Sequence, residues 1–255
     1  MAHEEGWKTM MTIERSLVGP VLVALGLTLG GWFIGHGFMR GRMADRFVTV
    51  KGVAEREAKA DLALWPLQYV ATADDLGRAQ AEIAESTEKI YAFLVRHGVD
   101  TTGVELQGLQ VTDALANPYR EGPVASRYVI TQALMIRAAE PEQVLEASQR
   151  VGELVEAGVV LSSQMGYGYD AGRPTFLFTG LNDLKPEMIA EATEKAREAA
   201  QQFAIDSQSE LGGIRRANQG IFQILPRDQA PGVAEGSQLF KTVRVVSTVE
   251  YYLEN

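Results

Sequence analysis

The sequence predicts an α+β fold in which a single N-terminal transmembrane helix precedes antiparallel sheet, with helices packed on one face. Three observations carry that expectation. Residues 17–39 hold no charge. Beyond them, segments of period-two alternation come in pairs, and segments of helical periodicity separate the pairs. Strand pairs between helices imply hairpins or antiparallel neighbours rather than a doubly wound parallel sheet. The order is ββ-α-ββ-α-ββ-α-ββ.

The first element is the apolar run. From Leu17 to Met39 there are 23 residues whose only polar members are Thr28 and His36. At 1.5 Å per residue the run is about 34 Å long, enough to cross a hydrocarbon core of about 30 Å. A secretory h-region is shorter and ends at a small-residue cleavage site, and "MRGRMADRF" offers none. A soluble core helix carries a polar stripe, which this run lacks. The expectation is an uncleaved, single-pass anchor in contact with the lipid bilayer. Gly26 with Gly30, and Gly31 with Gly35, form small-xxx-small pairs that let helices approach closely, so these four are candidates for self-association. Glycine is also common in membrane helices, so the spacing has a bland reading. Arg40, Arg42 and Arg46 form a basic juxtamembrane stretch and are candidate contacts to lipid headgroups. The flanking charges, read literally, keep the large C-terminal part inside, but long domains often cross regardless of charge. The expected division is a tail over 1–16, the anchor over 17–39, a linker over 40–46 and one domain over 47–255.

The domain opens with two strands, "RFVTVKGVAE" and "ADLALWPLQYVATA". Leu62, Leu64 and Val70 face one way, and Pro66 suggests an edge or a bulge. Asp74 or Asp75 caps a helix with a stripe of Leu76, Ala79, Ile83, Ile90 and Leu94, closed at Gly98. "VELQGLQVTD" and "SRYVITQALMIRA" are the next pair, with Tyr128, Ile130, Leu134 and Ile136 on one face. A helix after Pro141 places Val144, Ser148, Val151 and Val155 in register. "GVVLSSQMGYGYD" and "RPTFLFTGLN" make a third pair, and a helix beginning near Pro186 follows, its stripe Ile189, Ala192, Ala196, Ala199 and Phe203. "GGIRRANQGIFQILP" and "LFKTVRVVSTVEYYLE" close the chain as long strands.

Composition narrows the chemistry. A net charge of −9 argues against general nucleic-acid affinity, and the absence of cysteine removes disulfides, thiolate metal sites and cysteine nucleophiles. His3, His36 and His97 lie too far apart in role to form one site, and His97 suits a helix end. No serine-hydrolase, zinc-protease or phosphate-loop string occurs. Tyr167 and Tyr169 share a strand face, Asp74 and Asp75 read as a cap, and Arg215 and Arg216 follow a Gly-Gly turn where an anion could sit. No catalytic residue, metal ligand or cofactor site is assigned.

The segments "VTVKGVAE", "ATADDLGRAQAEIAESTEKIYAFLVRHGVD", "AEATEKAREAAQQFA" with the following "LGGI", and "VRVVSTVEYYL" occur in an order and spacing that resembles the SIMPL domain family. The likeness covers residues 47–253 and is similar in kind to a bacterial periplasmic immunogenic protein. It implies a bacterial envelope protein of the inner membrane with its C-terminal domain outside the cytoplasm. It also implies homo-oligomers, ring-like or channel-like in some relatives, and a link to oxidative-stress tolerance. No catalytic motif comes with it. The expected function is therefore a membrane-anchored, homo-oligomeric scaffold. The alternative is an extracytoplasmic ligand-binding protein or enzyme whose pocket the sequence hides.

Overall fold

The computed structural model describes residues 19–37, 46–116, 125–162 and 172–254. Helix α1 (Gly19–Gly37) is 19 residues, long and apolar enough to cross a membrane, and none of it is buried. The outer residues of the expected span, 17, 18, 38 and 39, fall outside the described set. The Thr28 hydroxyl donates to the Ala24 carbonyl one turn back, so this polar group is satisfied without water. Trp32 and His36 stack with ring centroids 5.5 Å apart.

The remaining elements are strands β1 (Phe47–Lys59) and β2 (Leu62–Ala73), helix α2 (Leu76–Arg96), strands β3 (Val104–Asp113) and β4 (Tyr128–Ala138), and helices α3 (Pro141–Gln149) and α4 (Gly152–Glu156). Strands β5 (Val160–Leu161) and β6 (Thr175–Leu177), helix α5 (Leu181–Asp206), and strands β7 (Glu210–Gln219), β8 (Gln223–Pro226) and β9 (Phe240–Glu254) follow. The α+β class with antiparallel sheets is as expected. The order differs in two places: the second helix of the domain is two short ones, and three strands close the chain. The residues form two compact units, Gly52–Glu194 with Gln219–Ser247, and Met1–Lys51 with Lys195–Asn218 and Thr248–Asn255.

The larger unit holds a sheet in the order β3-β4-β2-β5, with β6 also paired to β2. On β2 the buried phase is Ala63, Trp65, Leu67, Tyr69, Ala71 and Ala73. Leu62, Leu64 and Val70 do share a face, but it is the half-buried one. Trp65 and Tyr69 decide the phase because they bring the largest area to bury. Opposite them on β4, Ile130, Leu134 and Ile136 are buried, and α2 lays Ala79, Ile83, Ile90, Phe93 and Leu94 into the same core. Each fully buried Leu, Ile or Phe contributes about 1.5–3 kcal/mol by area. Asp75 caps α2, its carboxylate accepting from the Arg78 amide at 3.0 Å, and Gly98 follows the helix at φ +73°.

Several strand partners differ from the expected hairpins. β1 and β2 are consecutive yet belong to different sheets, and β5 and β6 each pair with β2 rather than with one another. β6 pairs residues 62–64 and β5 pairs residues 69 and 70, so Pro66 falls in the gap between them. That is where a residue lacking N–H does least harm. β3 and β4 are antiparallel neighbours as expected. The last expected pair also holds, although its first strand is broken into β7 and β8.

The helical stripes shift likewise. A break at Arg150 and Val151 separates α3 from α4, so the buried positions become Val144, Ala147 and Leu154, and Val155 is exposed. Helix α5 starts at Leu181, five residues before Pro186. Its buried residues in the larger unit are Met188 and Ala192, which pack with Ala54, Ala58, Val243 and Val245. In the smaller unit they are Ala196, Ala200 and Ala204; Ala196 and Ala200 join Val48, Val249 and Tyr251 in a core. Ala199 and Phe203, expected on the stripe, are exposed. The buried line advances by four residues and so turns about 40° around the helix at each step.

The second sheet has the order β1-β9-β7, with β8 also paired to β9 in the register Gln223↔Arg244 to Pro226↔Lys241.

Candidate assembly surface

Strand β3 pairs with β4 and forms one edge of its sheet. Its opposite partners on β4 are Val104↔Ile136, Leu106↔Leu134, Leu109↔Gln132 and Val111↔Ile130. Residues directly opposite in an antiparallel pair share a face, so these β3 side chains extend the buried face of β4. On β3, however, the face is uncovered: Leu106 is 59% exposed, Leu109 61% and Val111 47%.

Leu106 and Leu109 are three apart, and strict alternation would put them on opposite faces. A bulge between Gln107 and Leu109 restores the phase, with Gly108 at φ +48°, a conformation few other residues adopt readily. The buried Gln132 amide supports the bulge by donating to the Gln107 carbonyl at 2.9 Å and to the Ala133 carbonyl at 3.2 Å. Local chemistry has thus kept four apolar side chains on one face of an open edge. Glu105, Gln107, Gln110 and Thr112 occupy the other positions.

The end of the strand is fixed by an ion pair. Arg127 Nη2 lies 3.0 Å from Asp113, and the other Asp113 oxygen accepts from the Leu115 amide. The Arg127 hydrogen bonds, first, and that amide hold the Asp113 carboxyl below the usual carboxylate range. Leu115, just beyond the strand, is 63% exposed.

The candidate anchor residues Gly26, Gly30, Gly31 and Gly35 all lie on α1, and a Cβ added at any of them meets no atom within 4 Å. Arg46 is described and Arg40 and Arg42 are not. Arg46 is no free linker residue, because its carbonyl accepts from the Leu253 amide at 2.9 Å.

The residues weighed for chemistry have structural partners. The His97 amide donates to the Phe93 carbonyl, and its ring nitrogen Nε2 stands 3.0 Å from Glu153, linking α2 to α4. That hydrogen bond, together with the charges on His97, Arg96 and Arg150, lowers the Glu153 pKa. Asp74 accepts from the Arg127 amide. Gly212 and Gly213 lie within β7 rather than in a turn, and Arg215 pairs with Glu250 at 3.4 Å beneath the Phe47 ring at 4.0 Å. The Gly-Gly anion site is therefore corrected to a strand segment. Tyr167 and Tyr169 lie outside the described residues. Among the described residues no three His, Asp or Glu side chains gather as a metal site.

Two features went unread in the sequence. Lys241 is fully buried, its ammonium donating to the Phe176 and Glu235 carbonyls and pairing with the Glu235 carboxylate at 2.7 Å. Its place in the alternating phase of Val243 and Val245 was the available signal. The other is cavity space between helix and strand among the described residues. One cavity of about 220 Å³ lies between β2 and α2, lined by Thr72, Glu82, Glu85, Ser86 and Lys89. One of about 260 Å³ lies between α5 and β7, lined by Arg197, Gln201 and Ile214.

A comparison with curated proteins finds no match. The apolar α1 and the domain together fit a membrane-anchored extracytoplasmic protein. The sequence pattern of SIMPL, described as a protein of unknown function (DUF541), matches residues 48–251, and the chain belongs to that family.

Proposed function

We propose that this protein is a non-catalytic envelope scaffold, held in the inner membrane by α1 and assembled from copies of itself through open sheet edges. The observation that carries the reading is the β3 edge. Natural edge strands are protected by charge, proline or brevity, whereas β3 offers ten residues with an uncovered apolar face. Strand addition at such an edge supplies backbone hydrogen bonds while the stripe is buried. The anchor supports the same reading. Gly26 with Gly30 and Gly31 with Gly35 mark two small-residue rows about 140° apart around the helix, so one anchor can meet two neighbours. A head-to-tail contact repeated in this way closes into a ring or extends as a filament.

The full chain in mild detergent is expected to run as one discrete oligomer by light scattering, and Leu109→Lys to shift it toward the monomer. A strictly monomeric wild-type chain overturns the reading. The domain is placed outside the cytoplasm on the family's character, against the basic flank, and its protection from protease in inside-out vesicles is the test. The link to oxidative-stress tolerance enters from the family resemblance and is tested by the peroxide sensitivity of cells lacking the protein.

A further inference from the structure

In the smaller unit, one end collects exposed apolar side chains, and it is the end at which the anchor joins. The Arg46 carbonyl accepts from the Leu253 amide at 2.9 Å, so the start of β1 lies beside the end of β9. A side-chain carbon at Gly212 would stand 3.1 Å from the Tyr252 Cβ, which places the start of β7 there too. The last turn of α5 joins β7 through a short turn in which the Gln208 amide donates to Ile205 and the Ser209 amide to Ala204. Around this end Phe47 is 41% exposed, Phe203 50%, Ile205 69% and Tyr252 38%. Ile214, also exposed, lies further along β7.

We propose that this end rests on the lipid surface, with Phe203, Ile205 and Tyr252 entering the boundary between headgroups and acyl chains. The tether argues for this occupant. Eight residues separate Gly37 from Arg46, so the chain between them spans at most about 30 Å. Tethering makes contact with the bilayer intramolecular, and a weak apolar contact then suffices. Aromatic side chains with a polar tip, such as Tyr252, suit the interface. Asp206, Glu210 and Glu254 lie at the same end, so the contact is apolar rather than an attraction to anionic lipid.

This rests on α1 remaining in the bilayer, and the test separates the two. The chain has no cysteine, so one introduced thiol gives one spin-labelled site. The full chain is placed in phosphatidylcholine vesicles, labelled in turn at Phe203→Cys, Ile205→Cys, Leu29→Cys and Ile214→Cys. Collision rates with oxygen, which enters lipid, and with a water-soluble nickel chelate are then read. The labels at 203 and 205 are expected to collide severalfold less with the chelate than the label at 214, and to keep their access to oxygen. If both meet the chelate as freely as 214 while the label at 29 is in lipid, this proposal fails and the anchor stands. A label at 29 that meets the chelate ends both. Protection of 203 and 205 from both reagents means protein covers this end, and that also overturns the proposal. Neither position is buried, so either label alone decides the question.

Discussion

Asp61 holds Thr179, which lies 118 residues further along the chain: its carboxylate accepts from the Thr179 amide at 2.8 Å and from the Thr179 hydroxyl at 2.9 Å. The Gly180 amide adds a third donor at 3.0 Å. Asp61 sits between β1 and β2, and the groups it satisfies lie just before α5. It therefore fixes the turn that leads into the helix and sets a negative charge beside its N-terminus, from a residue distant in sequence. Asp61→Ala is expected to cost about 1–2 kcal/mol in urea unfolding, and Asp61→Asn less, because one acceptor oxygen remains. Equal losses in the two variants would mean that the acceptor oxygens of Asp61 do not hold this turn.

The buried Lys241 ammonium has three acceptors, two of them from Glu235. Removing the Glu235 charge leaves a buried cation without its counter-ion, whereas removing both partners leaves none. Glu235→Gln is therefore expected to cost about 3 kcal/mol. The double variant Glu235→Gln/Lys241→Met should lose clearly less than the sum of the single variants, because the two residues form one unit. Additive losses would show that the two are not coupled.

Gly103 precedes β3 and has no room for a side chain. A Cβ there would stand 2.0 Å from the Arg137 carbonyl oxygen, while the Gly103 carbonyl accepts from the Arg137 amide at 2.9 Å. Gly103→Ala must part the strands where β3 enters the sheet, at an expected cost of about 1–3 kcal/mol. If the edge of β3 carries assembly, the same variant should weaken the oligomer, and light scattering of the purified protein measures it.

What the sequence made legible follows from how local each signal is. Helix α2 carries its own cap at Asp75 and its own stop at Gly98, and its stripe is close to the observed one. Helix α5 starts after the turn that Asp61 holds, and no residue near Leu181 announces that. Its stripe drifted because Ala199 and Ala200 are indistinguishable by hydropathy, so only packing chooses between them. On β2 the shared face of Leu62, Leu64 and Val70 was legible from alternation, whereas which of the two faces is buried is settled by packing around Trp65 and Tyr69. The β3 edge was readable as a strand. That none of the described residues pairs with its outer side depends on sheet order, a long-range property on which alternation is silent.

Acid is expected to destabilise the domain through a few named carboxylates. The hydrogen bonds from Arg127 and the Leu115 amide hold Asp113 below its usual range. The hydrogen bond from His97 does most to lower Glu153. For Asp100 the Thr102 hydroxyl leads and the Thr102 amide follows. In each case the folded pKa lies below the unfolded one, so the unfolded chain takes up protons first as pH falls. The stabilisation is complete above the unfolded values, near about pH 4, and is lost as pH drops through the folded ones. The melting temperature should therefore stay level with respect to these groups above about pH 5 and fall below about pH 4. Asp113→Asn and Glu153→Gln should each lower the neutral-pH plateau slightly and flatten the acid limb. Asp100 is exposed and Asp113 and Glu153 are half-buried and still reached by solvent, so high salt should shrink the contribution of the two ion pairs more than that of the Asp100–Thr102 hydrogen bonds. An acid limb unchanged in both variants would assign the acid sensitivity to other groups.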